Sequence, residues 1–220
     1  SFDEDEENEA TRTISVTATD SDEDDLTYTC VASDNIGCSI DQDNDEITFN
    51  TSQDWYGEES VTIGVQDNNG GEDTQEVTVT VNSVNDPPII DAIDPFSFQE
   101  DEADPANRTI TVTASDVDGD GLSYTCDDGT DISCSVIGDQ ITFTVDENFT
   151  GEETLTITVD DGNEGDDSTT VTVTVTNVND DPVLGVIADF SFDEDEENEA
   201  TRTISVTASD VDEDDLTFTC

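Results

Sequence analysis

The sequence predicts an all-β protein built from tandem seven-stranded Greek-key β-sandwiches. Two observations carry this prediction. Apolar and polar residues alternate in many short runs, as in half-buried strands, and no segment has a convincing helical period. The same series of runs then returns after about 95 residues, which indicates structural repeats.

The first repeat shows the strand series in full. The expected strands centre on Phe2 and on residues 14–18, 26–30, 36–40, 47–49, 61–65 and 77–81. Threonine fills most of the outward positions between the apolar ones, and threonine is favourable in strands. This number of short alternating strands in one repeat is typical of a Greek-key sandwich.

Repeated motifs divide the chain into three parts. The run that starts at Ser1 with Phe2-Asp3-Glu4-Asp5 returns in near copies at Ser97 and Ser191. Each long valine–threonine strand leads into an Asn-Asp linker with proline, which cannot donate to a sheet and therefore ends the strand. We expect one repeat at residues 1–88, a second at 89–182, and the first strands of an incomplete third at 183–220.

The incomplete third repeat has too few predicted strands to close a sandwich by itself. Either the chain was cut from a longer array, or another copy of the chain supplies the missing strands by strand addition. The sequence leaves both alternatives open.

The charge of the chain is extreme. Sixty Asp and Glu residues stand against three basic ones, and the formal net charge is −57. This excludes a nucleic-acid-binding surface, which needs a basic footprint, and argues against binding to an anionic membrane. No apolar run is long enough to span a bilayer. Because the apolar residues are periodic, disorder is disfavoured, and the acidity is either a solvated surface or a means of collecting cations.

Cysteine spacing predicts disulfides. Cys30 and Cys38 are eight residues apart, Cys126 and Cys134 have the same spacing, and Cys220 lies in the register of Cys30. Zinc sites favour closer spacing and histidine, which is missing, while redox motifs have two intervening residues. Structural disulfides are therefore the favoured interpretation, and they imply an oxidising, extracellular setting.

Acidic clusters recur in the same register of each repeat. A Glu-Asp pair lies on the first strand, an Asp-x-Asp motif lies in the loop after the second strand, and an aspartate precedes the last long strand near a glycine. Oxygen-only ligands of this kind suit calcium, a hard cation that takes about six to eight oxygens. One acidic loop is usually only solvated surface, but recurrence beside an Asn-Asp linker favours a cation site.

Together these motifs resemble a cadherin repeat, and more closely the cadherin-like tandem repeats of microbial surface adhesins. The pattern is Asp116-x-Asp118-Gly119, then Asp161-Gly162, then a strand ending in Asn179-Asp180-x-Pro182. The resemblance implies an Ig-like, cadherin-like sandwich with calcium ions at the seam between successive domains. The metal ligands it implies are Glu4, Glu59, Asp67, Asn85, Asp86, Glu100, Asp116, Asp118, Glu153, Asp161, Asn179, Asp180, Asp210 and Asp212.

The sequence also departs from that family. The linker lacks an aspartate two places before its Asn-Asp, where Ser83 and Asn177 stand. The acidic element between the later strands is missing, and Glu59 and Glu153 are its nearest substitutes. The number of calcium ions at each seam is therefore left open.

The leading functional hypothesis is a calcium-stiffened structural array at the cell surface, as an adhesin stalk or an extracellular filament, with neighbouring repeats or copies of itself as partners. The alternative is a binding module for a surface glycan or for homophilic adhesion, for which the aromatic pair Trp55-Tyr56 is the only hint. An enzyme is disfavoured because histidine and a phosphate-binding glycine loop are absent, although carboxylate pairs for sugar hydrolysis are present in number.

Overall fold

The structure is a computed structural model that describes all residues from Ser1 to Cys220. Its regular structure is almost entirely β, which confirms the predicted fold class. The chain forms two compact units. Unit 1 comprises Ser1–Asp86 and Val117–Gly119, and unit 2 comprises Pro87–Asp116 and Asp120–Cys220. The division into three repeats stays a prediction.

Unit 1 has seven strands in two sheets, as the alternation predicted. They are β1 (Phe2–Asp3), β2 (Thr13–Ser15), β3 (Thr27–Val31), β4 (Ile36–Asp41), β5 (Glu46–Thr51), β6 (Gly57–Gln66) and β7 (Glu72–Asn82). One sheet has the order β1-β7-β6-β3, with β1 parallel to β7, and the other has the order β2-β5-β4. The remaining pairs are antiparallel.

Unit 2 repeats this arrangement and has two more short strands. Its strands up to residue 176 are β8 (Ile89–Ile90), β9 (Phe96–Gln99), β10 (Thr109–Thr111), β11 (Ala114–Ser115), β12 (Ser123–Cys126), β13 (Ile132–Ile137), β14 (Gln140–Val145), β15 (Gly151–Asp160) and β16 (Asp166–Thr176). The sheets have the orders β12-β15-β16-β9 and β10-β14-β13. The added strand β8 pairs antiparallel with β11.

Residues 183–220 belong to unit 2 and contain little regular structure. The strand β17 (Val183–Leu184) pairs antiparallel with β18 (Ala208–Ser209). Large apolar side chains of this segment, including Phe192 and Phe218, are exposed. No sandwich core forms here, because two strands of two residues cannot cover these side chains.

Each unit buries the inward side chains of its alternating strands between its two sheets. In unit 2, Ile141 and Phe143 of one sheet and Ile157 and Val173 of the other are fully buried in a single cluster. Threonine faces outward between the valines of β16, because successive side chains of a strand point to opposite faces.

Both predicted disulfides are confirmed. Cys30 bonds to Cys38, and Cys126 bonds to Cys134, so that each bond joins the two sheets of its unit. The four sulfur-bearing side chains pack against the cores. Cys220 is free and exposed.

Three four-residue helices were not predicted. They are α1 (Glu9–Arg12) and two 3-10 helices at Pro105–Arg108 and Glu199–Arg202, and each is capped by an Asn or Asp that accepts a backbone hydrogen bond. A single turn is too short to show helical periodicity. No helix of the chain has the length and apolar character needed to cross a membrane.

The second strand of unit 1 is shorter than expected. Alternation predicted a strand through residues 14–18, but β2 ends at Ser15 and Ala18 belongs to no strand. In unit 2 the corresponding Ala114 does form a strand, because β8 lies beside it. The difference therefore lies in the neighbouring strand, since alanine occupies both positions.

Candidate metal centre

Three carboxylates of unit 1 converge at the linker that follows β7. Glu4 follows β1, Asp86 lies in the linker and Asp118 lies in the loop after β11, and one carboxylate oxygen of each lies within 4.8 Å of the others. The N–H of Val84 donates to Oε1 of Glu4 over 2.8 Å, and the N–H of Asp86 donates to Oδ2 of Asp118 over 2.8 Å. The backbone of the linker thus orients two carboxylates from separate segments.

Two oxygens of this group are buried without a hydrogen-bond partner. They are Oε2 of Glu4, a residue that is 8% exposed, and Oδ2 of Asp86. Burial raises the pKa of Asp86, and the negative charges of Asp5, Asp54, Asp118 and Glu4 raise it further. Burying an unpaired carboxylate is costly, and a cation bound beside these oxygens would offset that cost.

A second group shares Asp86 and includes two aspartates that the site prediction omitted. Carboxylate oxygens of Asp5, Asp54 and Asp86 lie within 4.8 Å of one another. Asp54 has a positive φ of 54° in the turn before β6, which aspartate tolerates better than most residues. The signal that could have found it is the repeated turn, because Asn148 occupies the corresponding place in unit 2 with a φ of 59°.

Unit 2 has a third group, formed by Asp116, Asp120 and Asp161. Asp161 is 4% exposed, and its Oδ1 accepts from the N–H groups of Asn163 and Gly165 over 2.6 and 3.0 Å. Oδ2 of Asp116 is buried without a hydrogen-bond partner. Sequence reasoning identified two of these three aspartates and omitted Asp120.

The geometry of the first group recurs further along unit 2. The N–H of Val178 donates to Oε1 of Glu100 over 2.8 Å, and that of Asp180 donates to Oδ2 of Asp212 over 2.6 Å. Oδ2 of Asp180 is buried without a hydrogen-bond partner. Partial burial raises the pKa of Asp180, as do the charges of Asp101, Asp212, Glu100 and Asp210, in that order. Four predicted residues therefore interact electrostatically, because the charges of Glu100, Asp210 and Asp212 all raise the pKa of Asp180.

Glu59 and Glu153 lie outside all of these groups. Glu153 accepts from the N–H groups of Thr130, Asp131 and Ile132 over 3.2, 3.1 and 3.0 Å, which closes the loop bounded by the second disulfide. Glu59 does the same in the first disulfide loop. Hydrogen bonds from Ser33 and then Asn35 lower the pKa of Glu59.

The remaining predicted residues lie beside the groups or in loops of their own. Asn85 and Asn179 precede Asp86 and Asp180 in the linkers. Asp67 belongs to none of the three carboxylate groups. The N–H groups of Asn69 and Gly71 donate to its carboxylate and lower its pKa.

The donor sets fit a hard divalent cation. Every side chain in the three groups supplies carboxylate oxygen, with no thiolate or imidazole. Two like charges 4 Å apart repel by about 1 kcal/mol in water and by more when partly buried. Only three arginines are available to oppose sixty acidic residues. Among biological cations calcium suits this chemistry best, because it accepts many oxygen ligands in flexible geometry.

Fold and acidic groups together define a tandem Ig-like sandwich protein. The model of the bacterial Ig domain family matches residues 2–80 and 85–174, which is most of the chain. The chain belongs to the bacterial Ig domain family. No curated protein sequence matches it.

Cadherin ectodomain fragments have a similar structure. Drosophila N-cadherin EC1-4 matches with a TM-score of 0.58 and 18% identity over 80% of this chain, which spans about half of that fragment, or 47%. Human protocadherin-24 EC1-2 matches at 0.55 and 17%, covering 75% of this chain and 88% of that one. Human CDH23 EC21-23 matches at 0.53 and 20%, covering 84% and 68%. These likenesses confirm the cadherin-like fold.

Proposed function

We propose that this chain is a structural segment of an extracellular adhesin stalk or filament, stiffened at its linkers by calcium. The observation that carries the proposal is the buried Oδ2 of Asp86, which faces other carboxylates and has no hydrogen-bond donor. At neutral pH a bound cation would offset the cost of this arrangement.

Glu4, Asp86 and Asp118 are the proposed ligands of one site, to which Asp5 and Asp54 add further oxygens through Asp86. Bound calcium would supply positive charge that the chain itself lacks. The linker amides hold Glu4 and Asp118 in place before any ion arrives. Without calcium, the ionised carboxylates repel one another, and the linker becomes more flexible.

Asp116, Asp120 and Asp161 are the proposed ligands of a second site, with Asp161 held by two backbone N–H groups. Glu100, Asp180, Asp210 and Asp212 are proposed to repeat the first site at the next linker. We propose Asn85 and Asn179 as neighbouring oxygen donors. Glu59, Glu153 and Asp67 already accept hydrogen bonds from their own loops, so we assign them to loop closure.

An extracellular location and a non-enzymatic role belong to the same proposal. Two disulfides favour an oxidising compartment, where calcium is also plentiful enough for modules that bind at about 10⁻⁴–10⁻³ M. Trp55 packs against the core, which leaves Tyr56 as a single exposed ring and favours a structural role over a glycan platform.

The test is a calcium titration of the 220-residue chain. Isothermal calorimetry measures the binding, and small-angle scattering measures the dimensions of the chain. We expect calcium to bind with a dissociation constant of about 10⁻⁴–10⁻³ M and to narrow the distribution of chain dimensions measured by scattering. Magnesium at the same ionic strength is the control, because it requires stricter octahedral geometry. Absence of calcium binding above this control would refute the proposal.

A further inference from the structure

The chain contains a single Asn-Gly pair, at Asn69 and Gly70. It lies in the loop of residues 67–71 between β6 and β7 of unit 1, and both residues are exposed. Gly70 has a φ of 105°, and nothing lies within 4 Å of the position that a Cβ would occupy. The peptide nitrogen of Gly70 is therefore free of hindrance by a side chain, and the backbone around it is permissive.

The side chain of Asn69 joins this loop to the loop that follows β2. Its Nδ2 donates to Oδ2 of Asp24 over 2.7 Å, while its backbone N–H donates to Oδ1 of Asp67 over 2.8 Å. The bond to Asp24 requires an amide, because an ionised carboxylate is only an acceptor. Loss of the amide group would place one carboxylate against another.

Unit 2 has the same bridge with a different residue after it. Nδ2 of Asn163 donates to Oδ2 of Asp120 over 2.7 Å, and its backbone N–H donates to Oδ1 of Asp161 over 2.6 Å. Glu164 stands where unit 1 has Gly70, and it too has a positive φ, of 78°. The two sites share their hydrogen bonds, and they differ in whether a side chain stands beside the peptide nitrogen that follows the asparagine.

We propose that Asn69 is a site of spontaneous deamidation, which opens the bridge between these two loops of unit 1. The peptide nitrogen of Gly70 loses its proton to hydroxide and attacks Cγ of Asn69. A cyclic succinimide forms while the bond from Cγ to Nδ2 breaks, and ammonia leaves with a proton taken from water. Water then opens either carbonyl of the ring, which gives aspartate or isoaspartate. The net reaction adds water and releases ammonia, so it needs no other reactant.

The folded loop permits this reaction. The bond between Asn69 and Asp24 is exposed, and water readily replaces an exposed hydrogen bond, so the side chain is released frequently. The N–H of Gly70 also donates a weaker hydrogen bond to the carboxylate of Asp67. This carboxylate polarises the N–H bond that must break before the nitrogen can attack.

The product changes how the two loops are held. A carboxylate at position 69 cannot donate to Asp24, so two negative charges stand where one hydrogen bond joined the loops. Isoaspartate also lengthens the main chain of a loop that the N–H groups of Asn69 and Gly71 close on Asp67. Unit 2 keeps its bridge, so the two repeats become different with time. The proposal does not depend on calcium.

The experiment follows the purified 220-residue chain at mildly alkaline pH, with chelator, over several days. Mass spectrometry of proteolytic peptides resolves each asparagine from its products, and fragmentation distinguishes aspartate from isoaspartate. We expect Asn69 to be converted at least about tenfold faster than Asn163, because Glu164 has a side chain that hinders the attack and Gly70 has none.

Two variants change the residue that follows the asparagine. Glu164→Gly should raise the rate at Asn163 to about that of Asn69, and glycine accepts the positive φ at this position without strain. Gly70→Ala should slow the reaction at Asn69 by about tenfold or more. Because alanine is strained at a φ of 105°, circular dichroism checks that this variant is folded.

Asn69→Asp copies one of the products. It should melt at a lower temperature than Gln75→Glu, which adds the same charge at an exposed residue outside the two loops.

Preferential conversion of Asn69, and its extension to Asn163 by Glu164→Gly, support the proposal. An Asn69 that stays intact, or that reacts no faster than Asn163, overturns it. Equal melting temperatures of Asn69→Asp and Gln75→Glu overturn the opening of the bridge.

Discussion

The backbone N–H of Asp86 donates to Oδ2 of Asp118 over 2.8 Å, while Oδ2 of Asp86 itself is buried without a donor. Asp180 and Asp212 repeat this relationship at 2.6 Å. In both cases the backbone N–H of a linker aspartate binds the carboxylate of a loop aspartate. One carboxylate oxygen of the linker aspartate itself is buried without a hydrogen-bond donor. Such an arrangement is costly alone and becomes favourable once a cation is bound, which leads to the first prediction.

Asp86→Asn should reduce the stabilisation of the chain by calcium. With a dissociation constant of about 10⁻⁴–10⁻³ M, calcium at about 10 mM stabilises the parent by roughly 1.4–2.7 kcal/mol, or about 5–15 °C in melting temperature. The variant loses a ligand shared by two carboxylate groups, so the part of the shift that comes from this linker should disappear, while the other proposed sites keep theirs. Without calcium it should melt no lower than the parent, because a repelling charge has been removed. Thermal unfolding with calcium and with chelator measures both effects.

Asp94→Asn is the matched control, since Asp94 is exposed and belongs to none of the carboxylate groups. It should keep the full calcium shift. Equal calcium shifts in the two variants would show that calcium acts by general screening of the net charge.

Most of the fold could be predicted from sequence, because alternation of valine with threonine in β16 directly reflects a sheet with one buried face. Cys30 and Cys38 were paired from their spacing and from the lack of histidine, which disfavoured a zinc site. Of the carboxylates that converge, Glu4, Asp86, Asp116, Asp118 and Asp161 were predicted from the resemblance of the repeated motifs to a cadherin repeat. Tertiary relationships were harder to foresee.

Asp54 was missed because its contribution depends on a left-handed turn that brings a single acidic residue back to the linker. Ala18 was assigned to a strand because its own sequence alternates correctly, yet a strand also needs a neighbour to pair with. Glu153 was predicted as a metal ligand because it is the nearest substitute for an acidic element of the family that the sequence resembles. The three N–H groups from which it accepts come from a loop distant in sequence, so these hydrogen bonds could not be predicted from the motif.

The calcium-free chain should become more stable when the pH is lowered from neutral. Asp86 and Asp180 have raised pKa values in the folded state, so the folded chain binds protons that the unfolded chain has released. As the pH rises from about 3.9, the pKa of an unfolded aspartate, through the raised pKa values, Asp86 and Asp180 increasingly destabilise the folded chain. Their destabilising effect is complete once the pH exceeds the raised values. Asp41 and Asp67 have lowered pKa values, so the stability they contribute is lost only as pH falls below about 4. Urea midpoints between pH 4.5 and about 7 measure the difference.

The double variant Asp86→Asn, Asp180→Asn separates this effect from the general charge of the chain. It should show a weaker pH dependence than the parent, and saturating calcium should weaken that of the parent too. The interpretation fails if parent and double variant have parallel profiles.

Glu153→Ala should destabilise the chain without changing its response to calcium. The variant leaves the N–H groups of Thr130, Asp131 and Ile132 without their acceptor, which at a partly buried site costs about 1–2 kcal/mol. Glu152→Ala is the control, because Glu152 is adjacent and exposed. Thermal melts with and without calcium distinguish the roles, since a reduced calcium shift in Glu153→Ala would make this residue a ligand, as its sequence position first implied.

Gly165→Ala should be more destabilising than Gly71→Ala at the corresponding position of the first repeat. A Cβ on Gly165 would lie 2.9 Å from Cα of Pro87 and would also strike the side chain of Asp161, whereas at Gly71 it would meet only the side chain of Asp67. A side chain can rotate away but the linker backbone must shift, so we expect a cost of about 1–3 kcal/mol at Gly165 and less at Gly71. Displacement of Asp161 should also weaken calcium binding in Gly165→Ala. Melting temperatures and calcium titrations of the two variants measure this, and equal losses in both would mean that the close approach of the linker has no energetic role.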